Sequence, residues 1–80
     1  MFTVYVLHSR DFDKTYTGFT NNLENRLAAH NHPQNKGWTR SFQPWRVIHT
    51  ETFETKSLAM RREKQLKTAR GREFIKTKIL

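Results

Sequence analysis

Apolar and polar residues alternate along the start of the chain. Phe2, Val4 and Val6 fall on one side of an extended backbone and Thr3, Tyr5 and Leu7 on the other, which predicts a strand from Phe2 to Ser9. The polar run Arg10-Asp11-Phe12-Asp13 reads as a turn and Lys14 to Phe19 as a second strand, so the chain opens with a β-hairpin. Beyond it the spacing becomes helical. Asn21 with Glu24 three residues later has the form of a capping box, opening a helix that carries Leu23 and Leu27 on one face and runs to about His30 or Asn31. His32 to Gly37 is a loop. Gln43-Pro44 introduces a third strand, Trp45 to Phe53, in which Trp45, Val47 and Phe53 alternate with Arg46, Ile48 and Thr52. Thr55 or Ser57 caps a second helix built on Leu58, Ala59, Met60 and Leu66 and broken near Gly71. A last short helix, Glu73 to Leu80, presents Phe74, Ile75, Ile79 and Leu80.

The order β-β-α-β-α-α places the chain in the α+β class, with helices laid against a three-stranded sheet. The hairpin strands are antiparallel; the direction of the third is open. The 80 residues suffice for one domain, 1–80, with a small core, and no internal repeat divides them. With no cysteine, neither disulfides nor thiolate zinc sites can reinforce it. The apolar run Val4-Tyr5-Val6-Leu7 is too short for a membrane span or a signal-peptide core. These features lead us to expect a cytoplasmic protein.

Charge changes the picture. Lys and Arg number 15 against 7 Asp and Glu, a formal net charge of +8. Such an excess raises self-repulsion and suits an anionic partner. Nucleic acid is the leading candidate, because two Trp, two Tyr and six Phe offer stacking surfaces among the basic groups. The basic residues are spread along the chain and do not gather beside one strongly apolar helix face, which argues against a membrane-surface role.

Several positions carry possible chemistry. A four-residue turn from Arg10 to Asp13 makes Tyr5 and Tyr16 diagonal neighbours on one face, where their hydroxyls can serve a phosphate or simply pack. Gly18 closes the second strand and permits a close approach that a side chain would block. Arg26 and His30, four apart on the first helix, project on the same side. They form either a phosphate clamp with an acid/base partner or a solvated face. His30 and His32 are too few to make a metal site alone. Glu63 is the sharpest anomaly: Ala59, Glu63 and Leu66 define one helical stripe, so an acid lies in an otherwise apolar seam. Burying a carboxylate costs several kcal/mol unless it is paired or binds a metal. The alternative is a surface ion pair with Lys67. Lys36, Trp38, Arg40, Arg46 and, on the second helix, Arg61 are candidates for contact with nucleic acid, with Trp38 equally suited to packing.

These residues together resemble the GIY-YIG nuclease family. Thr3-Val4-Tyr5 and Tyr16-Thr17-Gly18 resemble its two signature tripeptides, and Thr20 to Asn31 its first helix, with Arg26 ten residues after the second tyrosine. Lys36 to Arg40, the strand from Trp45, and Ala59 to Glu63 continue the likeness, which is greatest to short stand-alone bacterial members and to the nuclease domain of the excision-repair endonuclease. The resemblance implies an antiparallel three-stranded sheet flanked by helices and DNA cleavage with a single Mg²⁺ or Mn²⁺. It further implies that Tyr5 activates water as general base or as relay to one, that Tyr16 faces the phosphate, and that Arg26 stabilises the pentacovalent phosphate. Glu63 then holds the metal, and His30 stands near the first tyrosine. Three positions depart from the pattern: Thr3 replaces a glycine, Phe19 stands where several members keep a lysine, and Ile75 stands where some branches place an asparagine. The functional expectation is a metal-dependent DNA endonuclease acting on repair or recombination intermediates. Its rivals are a non-catalytic nucleic-acid-binding module of the same fold and a small protein that docks an acidic partner.

Overall fold

One strand is buried on both faces, and this dictates the architecture. In the computed structural model, which describes residues 1–80, β1 (Phe2–Ser9) lies between β2 (Lys14–Thr20) and β3 (Arg46–Phe53) in a sheet of order β2-β1-β3. Both pairings are antiparallel. Val4 and Val6 point to one side and pack with Ala59, Leu66 and Ile75; Tyr5 and Leu7 point to the other and pack with Trp45. Helix α2 (Lys56–Leu66) supplies Ala59 and Leu66 to the first cluster, and α1 (Leu23–His30) supplies Leu23 and Leu27 to the second. The predicted α+β arrangement is thus present, and the third strand's direction is settled. No helix is long and apolar enough to cross a membrane.

The hairpin forms where alternation places it. Its turn ends on Asp13 at φ 50°, a left-handed conformation that Asp tolerates better than most residues, with the carboxylate 3.2 Å from His8 Nε2. β3 departs from simple alternation. Val6 pairs with His49 and Leu7 with Val47, so Ile48 is an extra residue, a β-bulge. The insertion reverses the facing of everything beyond it. Trp45 and Val47 join the Tyr5 side, while Ile48 and Phe53 pack on the Val4 side, so the expected shared face of Trp45, Val47 and Phe53 is corrected.

Helix starts and stops also differ in detail from expectation. Asn22, not Asn21, caps α1: its side-chain oxygen accepts from Asn25 N at 3.1 Å, and its own amide donates to Thr20 Oγ1 at 3.1 Å. Thr55 caps α2 by accepting from Leu58 N at 3.2 Å. Leu58 and Met60, expected to carry the packing of α2, are exposed; only Ala59 and Leu66 are buried. A short 3-10 helix spans Trp38–Phe42, a stretch to which the sequence assigned no element.

The break after α2 falls at Lys67-Thr68, not at Gly71. Thr68 Oγ1 donates to Gln65 O at 2.6 Å and accepts from Gly71 N at 3.2 Å, starting α3 (Ala69–Phe74) at once. The chain then continues as a π-helical turn, Ile75–Ile79. Gly71 therefore sits inside α3, pressed on the backbone of Gln65 and Leu66, where an added methyl has no space. Gly71→Ala is expected to lower stability by about 1–3 kcal/mol, seen as an earlier urea midpoint with unchanged slope. Gly37→Ala, whose methyl would meet only Asn35 Oδ1 at 3.2 Å, is expected to cost less.

Candidate active site

The hairpin register builds the first half of the site. Tyr5 pairs with Gly18 and Leu7 with Tyr16, so the two tyrosines are diagonal neighbours with ring centroids 6.3 Å apart. Gly18 has a steric reason to be glycine. A Cβ there would stand 2.6 Å from the Tyr5 hydroxyl and 2.8 Å from its Cζ. The missing side chain is the space the tyrosine's tip occupies.

Tyr5 is 1% exposed. A hydroxyl cut off from water needs a protein partner, and α1 provides it: His30 Nε2 lies 3.1 Å from the Tyr5 oxygen. His30 Nδ1 lies 3.0 Å from Thr39 Oγ1, and Asn35 Nδ2 donates to that same oxygen at 2.7 Å. Burial first, and the neighbouring Tyr16 next, push the Tyr5 pKa up to about 12, although the Arg26 guanidinium beside it pulls the other way. Tyr5 is therefore a protonated donor at neutral pH. Its hydroxyl shares one hydrogen bond with His30 Nε2, while His30 Nδ1 faces Thr39. Burial, and then the Arg26 charge, lower the His30 pKa from its ordinary value, so the ring is neutral at pH 7 and able to accept. Thr39 and Asn35 went unnoticed in the sequence because polar loop residues carry no period.

The second half comes from the helices. Tyr5, Tyr16, Gly18, Arg26 and Glu63 line one cleft of about 530 Å³, joined by Lys56. It takes residues from both sides of the sheet, since Phe2 and Phe19 on its wall belong to the other apolar cluster. Glu63 lies on the inward seam of α2, its side chain 19% exposed, with Lys67 Nζ 3.7 Å away. The two readings of this residue coexist: it faces the cleft, and it touches Lys67. Tyr16 and Arg26 also line an adjoining cavity of about 340 Å³, shared with His30, Asn35, Trp38 and Thr39.

The suggested nucleic-acid contacts do not all gather here. Trp38 borders the adjoining cavity. Arg61 lies with Lys56 and Lys64 in a shallow groove along α2, which Lys56 connects to the cleft. Lys36 and Arg40 are exposed on either side of Trp38. Arg46 sits opposite His8, at the end of β1 away from Phe2, and lines neither the cleft nor the cavity. Lys56, Thr20 and Asn21 line the cleft without having been singled out by the sequence.

A metal at this site would rest on Glu63. No group of three or more His, Cys, Asp or Glu side chains gathers anywhere in the protein, so a closed protein cage cannot form. One inward carboxylate in an open cleft does fit a hard divalent ion, which keeps most of its ligands from water and phosphate oxygens.

Two outcomes test this geometry. The Tyr5 pKa is raised on folding from 10.0 to about 12, so its contribution is complete below pH 10 and is lost as pH rises toward 12. Unfolding free energy of the wild type should fall by about 3 kcal/mol more than that of Tyr5→Phe over this interval; parallel pH curves for the two proteins would refute the burial argument. Gly18→Ala should fold yet break the bond to His30, seen as movement of the His30 ring resonances.

Comparisons with known proteins bear on the family and the fold. Residues 1–77 match the model of the GIY-YIG catalytic domain. A UPF0213 protein of Natronomonas pharaonis is 43% identical over 65 residues, covering 81% of this chain and 75% of its own length. A UPF0213 protein of Staphylococcus haemolyticus is 37% identical over 73 residues, covering 91% and 88%. The solution structure of a UPF0213 protein from Bacillus halodurans superposes with a TM-score of 0.56 at 31% identity, over 96% of this chain and 84% of that one. With the hairpin tyrosines, the Arg26 helix and the Glu63 seam in place over a match of this extent, the chain belongs to the GIY-YIG family of nuclease domains.

Proposed function

We propose that this protein is a metal-dependent endonuclease that hydrolyses phosphodiester bonds in DNA. The observation that supports this most is the convergence of Tyr5, Tyr16, Arg26 and Glu63 on one cleft. The net charge of +8 and the basic groove of Lys56, Arg61 and Lys64 beside that cleft suit a polyanionic substrate.

The division of labour follows from the contacts. Arg26 offers a planar donor fork at the cleft wall, suited to two phosphate oxygens and to the charge that grows on them during attack. Tyr5 remains protonated, so it acts as a relay: its oxygen takes a proton from the attacking water as its own proton passes to His30 Nε2. Neutral His30 is the terminal acceptor, and the Nδ1 contact with Thr39 holds its ring in the accepting tautomer. Tyr16, tilted 4.6 Å from the His30 ring, presents a second hydroxyl to the phosphate. A divalent cation on Glu63, such as Mg²⁺ or Mn²⁺, would supply Lewis-acid charge to the phosphate oxygens.

A second reading has one observation in its favour. The Lys67 ammonium, 3.7 Å from Glu63, competes with any cation for that carboxylate. A nucleic-acid-binding module without turnover would keep this pair and lose nothing.

The two readings part in a cleavage assay on labelled DNA with Mg²⁺ or Mn²⁺. Arg26→Ala and Glu63→Gln should each lower the cleavage rate at least about hundredfold, and chelation of the metal should abolish it. Because the His30 pKa is lowered, the acid limb of the rate profile should lie below pH 6.5, with activity lost as falling pH protonates the ring. Equal residual cleavage by wild type and both variants, or salt-dependent binding without cutting, would remove the enzyme reading.

A further inference from the structure

Beside the cleft lies an aromatic surface that the hydrolytic machinery does not use. Trp38 is 54% exposed and Phe12 49%, and both lean on Phe42, with centroid separations of 4.7 and 5.4 Å. Trp38 also rests against the buried Trp45, 5.9 Å away, so the ledge has a fixed back. For a chain with so small an interior, leaving two large rings half in water forgoes burial that the fold could use. Charge surrounds them. Lys14 Nζ stands 5.8 Å from the Phe42 ring centre, and Lys36 and Arg40 are exposed on either side of Trp38.

Position is the second observation. Trp38 forms a wall of the cavity of about 340 Å³ whose other walls include Tyr16 and Arg26, and those two residues also line the cleft. A phosphate held at Arg26 therefore has, directly beside it, a hollow walled by an indole and large enough for one planar base. Bases within a duplex present only their edges, whereas an unpaired base presents its face.

We infer that the cavity walled by Trp38 is a stacking subsite for an unpaired nucleobase next to the scissile phosphate, continued outward along Phe42 and Phe12. This rests on the nuclease reading for its substrate and adds to it the state of that substrate: a single-stranded end, gap or loop at the point of cutting. Arg26 and Tyr16 in the wall are taken up by the phosphate in this reading, and the polar groups of Asn35, His30 and Thr39 are already engaged. Asn35 donates to Thr39 Oγ1 and to His30 O and accepts from Gly37 N, and both His30 ring nitrogens have partners. With no side-chain amide left to read a base edge, the subsite discriminates by stacking and accepts all bases, purines more tightly than pyrimidines.

Binding measured in chelator separates this subsite from catalysis. The full chain is titrated with a labelled 12-nucleotide single strand, with the same strand carrying abasic residues, and with its blunt duplex. Trp38→Ala should weaken binding of the single strand about five- to hundredfold, the range expected for one base–aromatic stack, and change duplex binding by less than about twofold. Trp38→Phe should restore most of the loss, which controls for loosening around Trp45. The abasic strand should bind wild type no better than the normal strand binds Trp38→Ala. Equal loss for single strand and duplex, or tight binding of the abasic strand, overturns the subsite. So does an aromatic ledge that serves self-association: a sedimentation shift with concentration that Trp38→Ala abolishes while oligonucleotide affinity stays unchanged. Failure of the cleavage assay alone leaves the binding result standing, and intact cleavage with unaltered Trp38→Ala binding removes only the subsite.

Discussion

A tyrosine hydroxyl with almost no access to water organises this molecule. Leaving such a group unpaired costs about 1–3 kcal/mol, so Tyr5 requires a partner, and that partner requires others. The hydroxyl contacts His30, His30 contacts Thr39, and Thr39 receives Asn35. Thr39 is itself held, because its carbonyl accepts from Trp45 Nε1 at 2.7 Å. Asn31 completes the tie by donating to Trp45 O and accepting from Trp45 N, at 2.9 and 2.6 Å. A chain of polar contacts thus runs from the central strand through α1 into the loop and back to the start of β3. It gives order to a segment, His32 to Gln43, that has little apolar burial of its own. The opposite requirement, space for the hydroxyl, is met by one absent side chain at Gly18.

This dependence explains which parts of the fold were legible in the sequence. β1 and β2 emerge with nearly their true limits because alternation is a period-two signal, and the Arg10–Asp13 turn then sets which residues share a face. The bulge at Ile48 has no such signal: one extra residue leaves the composition of β3 unchanged while reversing the facing of Phe53. The capping residue shifted by one for a similar reason, as Asn21 and Asn22 are the same residue type and only their contacts, with Thr20 and Asn25, distinguish them. Gly71 looked like a helix breaker, but its role is close approach of α3 to the end of α2, which depends on packing. At the site, Glu63 stood out by its place in an apolar stripe, whereas Tyr5, Tyr16, Arg26 and His30 had equally plain readings by spacing and gained roles only from the family resemblance. Thr39 and Asn35, which hold His30, lie on a single short 3-10 turn and the loop before it, too short for spacing to carry information.

The electrostatics of the site are set by burial as much as by charge. His30 sits four residues from Arg26 and under the same roof of aromatic rings as Tyr16, at 4.6 Å. Both burial and the guanidinium favour its neutral form. Under the proposed function this is useful, since the cation at Arg26 would attract a phosphate while keeping its neighbouring imidazole free to accept a proton. Tyr5 is the counterpart: the same burial that lowers histidine's affinity for a proton strengthens tyrosine's hold on its own. Burial thus acts on the two partners in opposite senses, keeping the hydroxyl protonated and the imidazole neutral.

Two carboxylates on the inner side of the fold, Glu51 and Glu63, differ in how fully they are partnered. Glu51 is grasped by Arg62 through both oxygens, at 2.9 and 3.1 Å, and by His49 at 2.7 Å. Burial alone would raise its pKa, yet these partners hold it below the ordinary carboxylate value. Its coordinating capacity is spent on fastening β3 to α2. Glu63 lies one residue beyond Arg62 on the same helix, and its recorded partner is Lys67, at 3.7 Å and itself half exposed. That contact is long and loosely held, worth a fraction of a kcal/mol on an exposed helix. A divalent ion could displace it at little cost, whereas displacing Arg62 from Glu51 would break a two-point clamp. Of these two acids, one on β3 and one on α2, the under-partnered one faces the cleft, and the cation-binding role proposed for it needs a carboxylate with this kind of unspent capacity.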